Sequence, residues 1–394
     1  IAGQPELFSM LYLAHGVTSV RNTGGGSSQL DWSERDTAGA VAGPRAFARG
    51  PLYDGSPPIW SGSVVVETPE QAREEVERHL GMGYDCLKVY ERLDAPVLAA
   101  LVDAAHSRGL RVVGHVPDRV RFEDAGIDDV QHLRGLARLG AEAPALDLVE
   151  RVRGRWQRWA ALTPERIEFV ARTSLEQGVS HTPTLVLFAR GARLDRMEEE
   201  LRHPSLALLP RFYGALTWAP RGVPWFDAFR ADDWAVAQQT SEAASRLVEA
   251  LFRAGVRIHA GTDVGNPFLV PGASLHEELF LLVDAGLSPE EAWLTGTRWP
   301  GEFLGEPGLG VVAPGSPADL LLFDEDPTRD LAALATLRAV VADGRLYRRE
   351  HLDAALERSR LHYRGWLYDR VSMAIGERRR AAALRAMDET QESP

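Results

Sequence analysis

Residues 86–133 read CLKVYERLDAPVLAALVDAAHSRGLRVVGHVPDRVRFEDAGIDDVQHL. An apolar run, Cys86 to Tyr90, gives way to an amphipathic helical pattern, Ala95 to Arg108, and then to two further runs, Arg111 to Val116 and Asp129 to Leu133. Strands alternating with helices read as βα units, because parallel neighbours need a crossover that is usually a helix. Working outward, the runs Val17 to Arg21 (VTSVR), Ala46 to Pro51, His181 to Leu185 (HTPTL) and Arg257 to Asp263 (RIHAGTD) extend the series. Helical patterns separate them at Pro5 to His15, Thr68 to Leu80, Pro164 to Gln177 and Thr240 to Arg253, and Ser274 to Ala285 follows the last run. Thr68-Pro69 and Thr163-Pro164 supply an N-cap with proline in first helical position. AHGVTSV, SRGLRVV, EQGVSHT and RAGVRIH each place a glycine between a helix end and a strand, as helix C-termini favour. Seven strands fall one short of a closed eight-stranded barrel. The expected fold class is therefore α/β, a TIM-like (β/α) barrel one strand short.

The chain has 394 residues, 45% of them apolar and 25% charged, enough for one barrel plus a subsidiary unit. Residues 1–300 are assigned to the barrel, with an insertion at about 188–235 that carries Trp218, Trp225 and Trp234, either a lid or a helical appendage on the barrel wall. After Gly301 the texture changes to short strands with Pro and Gly turns, so 301–350 reads as a small β unit and 351–394 as an Arg-rich helical tail. A net charge of -12 without a basic stripe argues against a nucleic-acid partner and for a small-molecule or short-peptide substrate. No apolar run approaches the ~20 residues of a membrane span. The single cysteine, Cys86, sits in an apolar run and reads as a core residue. Homo-oligomerisation is left open, as is localisation, since the chain begins at Ile1 with no initiator methionine and no signal-like segment.

Four strand runs end in residues with metal or acid–base chemistry: Lys88, His115, His132 and Asp263. A parallel barrel gathers strand C-termini at one mouth, so these side chains converge. One histidine closing a strand is more often structural, but four such groups on separate strands point to a divalent metal, zinc first. Of the 44 basic residues every one but Lys88 is arginine. An ammonium is a poor ligand, yet a neutral lysine amine adds CO2 to give a carbamate able to bridge two ions, which a guanidinium cannot do.

KVY, GHVP, QHLRGL, AGTDVGNP, SLHEEL and GVVAPGSPADLLLFDEDP occur in this order between about Leu11 and Arg348. Together they resemble the amidohydrolase superfamily, in the branch related to imidazolonepropionase and the Xaa-Pro dipeptidases. The resemblance implies hydrolysis of an amide-type C–N bond, of dipeptides or a cyclic amide, by a water activated on one or two divalent ions. It implies a carboxylated Lys88 as bridge, His115 and His132 as ligands of the second metal, and Asp263 as ligand of the first and as the group that takes the water's proton. That family's His-x-His pair, due before the helix at Pro5, has no match, and GSPADLLLF resembles only the C-terminal half of its small β-sandwich. The start of the protein is expected to be missing, through trimming of a longer chain or because this is a shortened, inactive relative.

Tyr90 and Arg134 each lie two residues beyond a candidate ligand, hence on its face and nearer the mouth. Arg134 suits a substrate carboxylate and Tyr90 a carbonyl, although surface roles serve either equally. His181 starts its strand and His259 lies inside one, so both read as packed barrel histidines. His181 nevertheless stays a further candidate, as does His276, in SLHEEL, which reads alternatively as a helix brace. Gly24 to Gly26 lacks the pattern of a phosphate cradle. The rival to an enzyme is an inactive barrel kept as a binding or scaffold protein. A sugar hydrolase ranks last, for want of a strand-end carboxylate pair.

Overall fold

The computed structural model describes residues 5–23, 43–48, 50–84, 86–143, 147–218 and 228–391. Gly24 to Gly26, Trp225 and the last residues of the tail lie outside these. Eleven strands are defined within them: β1 (Ser19–Asn22), β2 (Arg45–Ala48), β3 (Leu52–Asp54), β4 (Val64–Val65), β5 (Cys86–Val89), β6 (Arg111–Gly114), β7 (Asp129–Gln131), β8 (Ser180–Thr182), β9 (Leu320–Phe323), β10 (Leu337–Ala342) and β11 (Arg345–Arg348).

A parallel sheet of six strands, ordered β4-β3-β5-β6-β7-β8, forms the framework, and β1 and β2 make a separate parallel pair. Strands β5, β6 and β7 are buried along almost their whole length, as befits a parallel sheet covered by helices. The helix Ala95–Ser107 buries Val97, Leu98, Leu101 and Val102 on that sheet, each large aliphatic side chain being worth about 1.5–3 kcal/mol. Helix starts follow the sequence closely. Thr68 and Gln71 form a reciprocal capping box and Thr163 caps Arg166 N–H, both with proline next in line.

Two expectations change. The run Arg257 to Asp263 does not form a regular strand: it touches the sheet through one parallel bridge, His181 to Ile258, and the chain then turns away. Gly261 lies against Thr182, where a Cβ would stand 2.5 Å from the threonine methyl, and Asp263 takes a left-handed conformation (φ 56°) that no strand accommodates. Closure of the sheets into a complete barrel is accordingly not recorded among the described residues. In the other direction, β3 and β4 go beyond the strands read from the sequence.

Strands β9–β11 form a three-stranded antiparallel sheet that packs on the first helix, Pro5–Ala14, through Leu13, Ala14, Leu337 and Val340. Within the insertion, Leu206, Leu209, Tyr213 and Trp218 build an apolar cluster with Leu7, Phe8 and Leu11 of that helix and with Phe268 and Val270. Among these residues the insertion is thus packed on the body of the protein. The tail is two helices, Arg349–Tyr363 and Trp366–Gln391. No helix is long and apolar enough to cross a membrane among the described residues.

Candidate functional site

Lys88, in the middle of β5, is 4% exposed, and its Nζ donates to Thr23 Oγ1 at 3.4 Å. Burial drives its pKa down to about 8, although Asp263 pulls the other way. Roughly a tenth of the amine is then neutral at pH 7, against well under a thousandth for a free lysine.

Gly114 lets β6 approach β5 so closely that a Cβ there would meet Val89 O at 2.1 Å. His115 follows directly. Its Nδ1 lies 3.1 Å from Glu91 Oε1. Burial favours the neutral form of Glu91, but Arg134 and His115 outweigh it and hold the carboxyl well below its usual range. A carboxylate only accepts, so Nδ1 carries the proton. His115 Nε2, buried and without a hydrogen-bond partner, is left with its lone pair; burial lowers the ring's pKa to about 3.

His132 stands just past β7, with φ 56°, and its Nδ1 is 3.0 Å from Thr184 Oγ1. That hydroxyl donates to Pro183 O at 2.7 Å, so His132 is the donor in their contact. Its Nε2 then turns a lone pair toward Asp263 Oδ2 at 3.6 Å. Burial lowers His132 to about 4, while burial of Asp263 is outweighed by His132, Lys88 and His115, which keep that carboxyl ionised. Two acceptors facing each other with no donor between them form an arrangement that a cation resolves. The His115 and His132 rings lie 5.3 Å apart, edge to face.

These donors fit a divalent ion: imidazole nitrogens fixed by a hydrogen bond at their other nitrogen, one of them to a carboxylate, are the usual arrangement around metals. No group of three or more His, Cys, Asp or Glu side chains is set to hold an ion among the described residues.

Of the weaker candidates, Tyr90 lies over His115 with ring centroids 4.3 Å apart and accepts from Trp60 Nε1 at 2.9 Å. Arg134, expected to meet a substrate carboxylate or to take a surface role, turns inward to Glu91 Oε2 at 2.6 Å, because an ionised buried Glu91 demands a partner. Arg151 Nη1 stands 3.6 Å from the same oxygen. Arg155, on the same helix, Leu148–Ala160, interacts with Arg134 and Glu91, and burial pushes its guanidinium down to about 9.

His181 faces the helical layer, bonded to Ser174 Oγ at 2.9 Å, and His259 donates to Asp129 Oδ2 at 2.7 Å, so both are packed residues. His276 donates to His15 O at 2.8 Å, a brace between helices. Sequence reasoning missed Glu91, Thr184 and the knot of Arg21, Asp129, Thr182 and His259. Glu91 was within reach, since it comes one residue after Tyr90 at the same strand end; Thr184 has no signal beyond its nearness to β8.

The family model described as the amidohydrolase family matches residues 6–347. Uncharacterized proteins of Mycobacterium tuberculosis and Mycobacterium bovis are 29% identical over 252 residues, which is 64% of this chain and 51% of theirs. The chain thus spans about half the length of the curated relatives it matches. Among solved structures, a bottromycin amidohydrolase is similar over 91% of this chain and 77% of its own, with a TM-score of 0.69 and 28% identity. A Xaa-Pro dipeptidase with methionine bound in its active site is similar over 86% and 77%, with a TM-score of 0.60 and 19% identity, a likeness of fold alone.

Proposed function

The chain belongs to the amidohydrolase family, and from that premise we propose that it hydrolyses an amide-type C–N bond in a small molecule or short peptide at the site built around Lys88, His115, His132 and Asp263. The observation that carries this reading is the pair of imidazoles with Nδ1 held by a hydrogen bond, Nε2 of His115 being without a partner and that of His132 facing the Asp263 carboxylate at 3.6 Å. His115, His132, Asp263 and a carboxylated Lys88 would hold one or two divalent ions, zinc first. Bound there, such an ion supplies Lewis acidity toward water and the scissile carbonyl.

The chain's own groups do the rest. Asp263, ionised and 38% exposed in its side chain, accepts a proton from the attacking water as its oxygen bonds to the carbonyl carbon, and passes that proton to the leaving nitrogen as the C–N bond breaks. Burial keeps both imidazoles neutral, and Glu91 and Thr184 orient them through their Nδ1 atoms. Tyr90, raised to about 12 chiefly by burial, stays a phenol able to donate to a substrate carbonyl.

Arg134 and Arg151 share one carboxylate, Glu91, and Arg155 lies within electrostatic reach of it, a positive excess beside the site that favours a substrate with a carboxylate. This supports a dipeptide over a neutral cyclic amide, and the Xaa-Pro dipeptidase among the fold neighbours is in keeping with it. The rival, an inactive binding barrel, draws on the lack of a ready three-ligand cluster among the described residues. Removing metal with a chelator and restoring zinc with bicarbonate discriminates the two: dipeptide hydrolysis is expected to vanish and return. Equal activity before and after chelation, or none with any metal, would sink the proposal.

A further inference from the structure

Glu278, the second acid of SLHEEL, is fully buried on the helix Ala273–Asp284 and has no part in the chemistry above. Its Oε2 accepts from Val186 N–H at 2.7 Å, and the backbone N–H groups of Leu185 and Thr184 lie close enough to favour its charged form. These belong to the first turn of the helix Leu185–Gly191, whose N-cap is Thr184. A threonine there ordinarily turns its hydroxyl onto its own helix's N–H groups. Thr184 does not: it makes no side-chain cap bond, sits in the left-handed region at φ 53°, ψ 53°, and gives its hydroxyl to His132 and Pro183 O. Glu278, from another helix, takes the Val186 N–H that Thr184 leaves.

We propose that Glu278 is a positioning residue for His132: by capping the 185–191 helix in place of Thr184, it frees the Thr184 hydroxyl to hold His132 as the Nδ1–H tautomer with Nε2 toward Asp263. Without Glu278, the hydroxyl turns back to its own helix and the imidazole loses the acceptor that fixes it. The proposal rests on His132 being a metal ligand, as read above.

The test uses the full chain, with Co(II) titrated in the presence of bicarbonate as the probe, and 15N NMR of the histidine rings in metal-free protein. Glu278→Ala and Thr184→Ala are expected to weaken Co(II) binding by about 10- to 100-fold and to shift His132 away from the Nδ1–H tautomer. Glu278→Gln and Thr184→Ser keep an acceptor and a hydroxyl, so both should stay within about threefold of the parent. The double alanine variant should be no worse than either single one, since both break one chain of contacts. If Glu278→Ala does not fold, Glu278→Asp, which withdraws the carboxyl by one methylene, replaces it. Co(II) binding by Glu278→Ala equal to the parent's, while His132→Ala weakens it, would overturn the proposal, as would additive losses in the double variant. Should His132→Ala bind Co(II) like the parent, the metal reading falls instead, and the His132 tautomer in Glu278→Ala alone then decides the proposal: unchanged, it fails.

Discussion

At the scale of single residues, the site is a set of groups whose protonation is fixed by burial and by the charged groups beside them. Lys88→Arg is expected to leave the fold intact and abolish metal-dependent hydrolysis, because a guanidinium stays protonated and cannot become a carbamate; metal content with and without bicarbonate should rise with bicarbonate in the parent only. Glu91 is the anchor of the cationic side. It is 3% exposed and faces Arg134, Arg151 and His115 Nδ1, so Glu91→Ala strands two guanidinium groups near a now unpartnered imidazole. Breaking a buried pair in this way costs about 3–5 kcal/mol. Denaturant titration should show that loss, and a cost below about 1 kcal/mol would mean that the pair is solvated.

At the scale of elements, the site depends on places where strands stop being strands. His132, Thr184 and Asp263 all have positive φ, and a non-glycine residue held there costs about 1–3 kcal/mol, which surrounding packing must offset. β7 ends at Gln131 and β8 at Thr182, so each side chain is re-aimed just beyond its strand. Gly114 plays the complementary part inside the sheet, with φ 134° and Val89 O in the space a Cβ would take. Gly114→Ala should push β6 from β5 and displace His115, costing more than about 2 kcal/mol. Thermal unfolding and Co(II) affinity should both fall. A variant that loses stability yet binds Co(II) normally would show that His115 tolerates the shift.

At the scale of the whole molecule, several buried histidines tie stability to pH. Burial lowers His115 to about 3 and His132, His181 and His276 to about 4, against 6.5 in the unfolded chain. The unfolded state therefore binds more protons between those values, so stability is full above about 6.5 and is lost as pH falls toward 4, on the order of 3 kcal/mol per histidine. Glu278, raised to about 8 by burial, works in the opposite sense but is one group against four. Metal-free protein should thus begin to unfold in mild acid, below about pH 6, and a flat melting temperature from pH 7 to 4.5 would contradict this. Much was legible beforehand: alternating apolar runs and capped amphipathic helices gave the parallel βα order, since burial on a sheet and on a helix face imposes different periods on the chain. Strand-end position likewise pointed to Lys88, His115, His132 and Asp263 as candidates, although Lys88 lies within β5 and Asp263 follows a run with only one bridge to the sheet. The pairing of Arg134 with Glu91, the irregular last run and the hold of Glu278 and Thr184 on His132 were decided only by the tertiary fold. Each depends on groups far apart in sequence meeting in a dry interior, where a charge or an N–H must take the nearest partner, and local pattern carries no record of which partner that is.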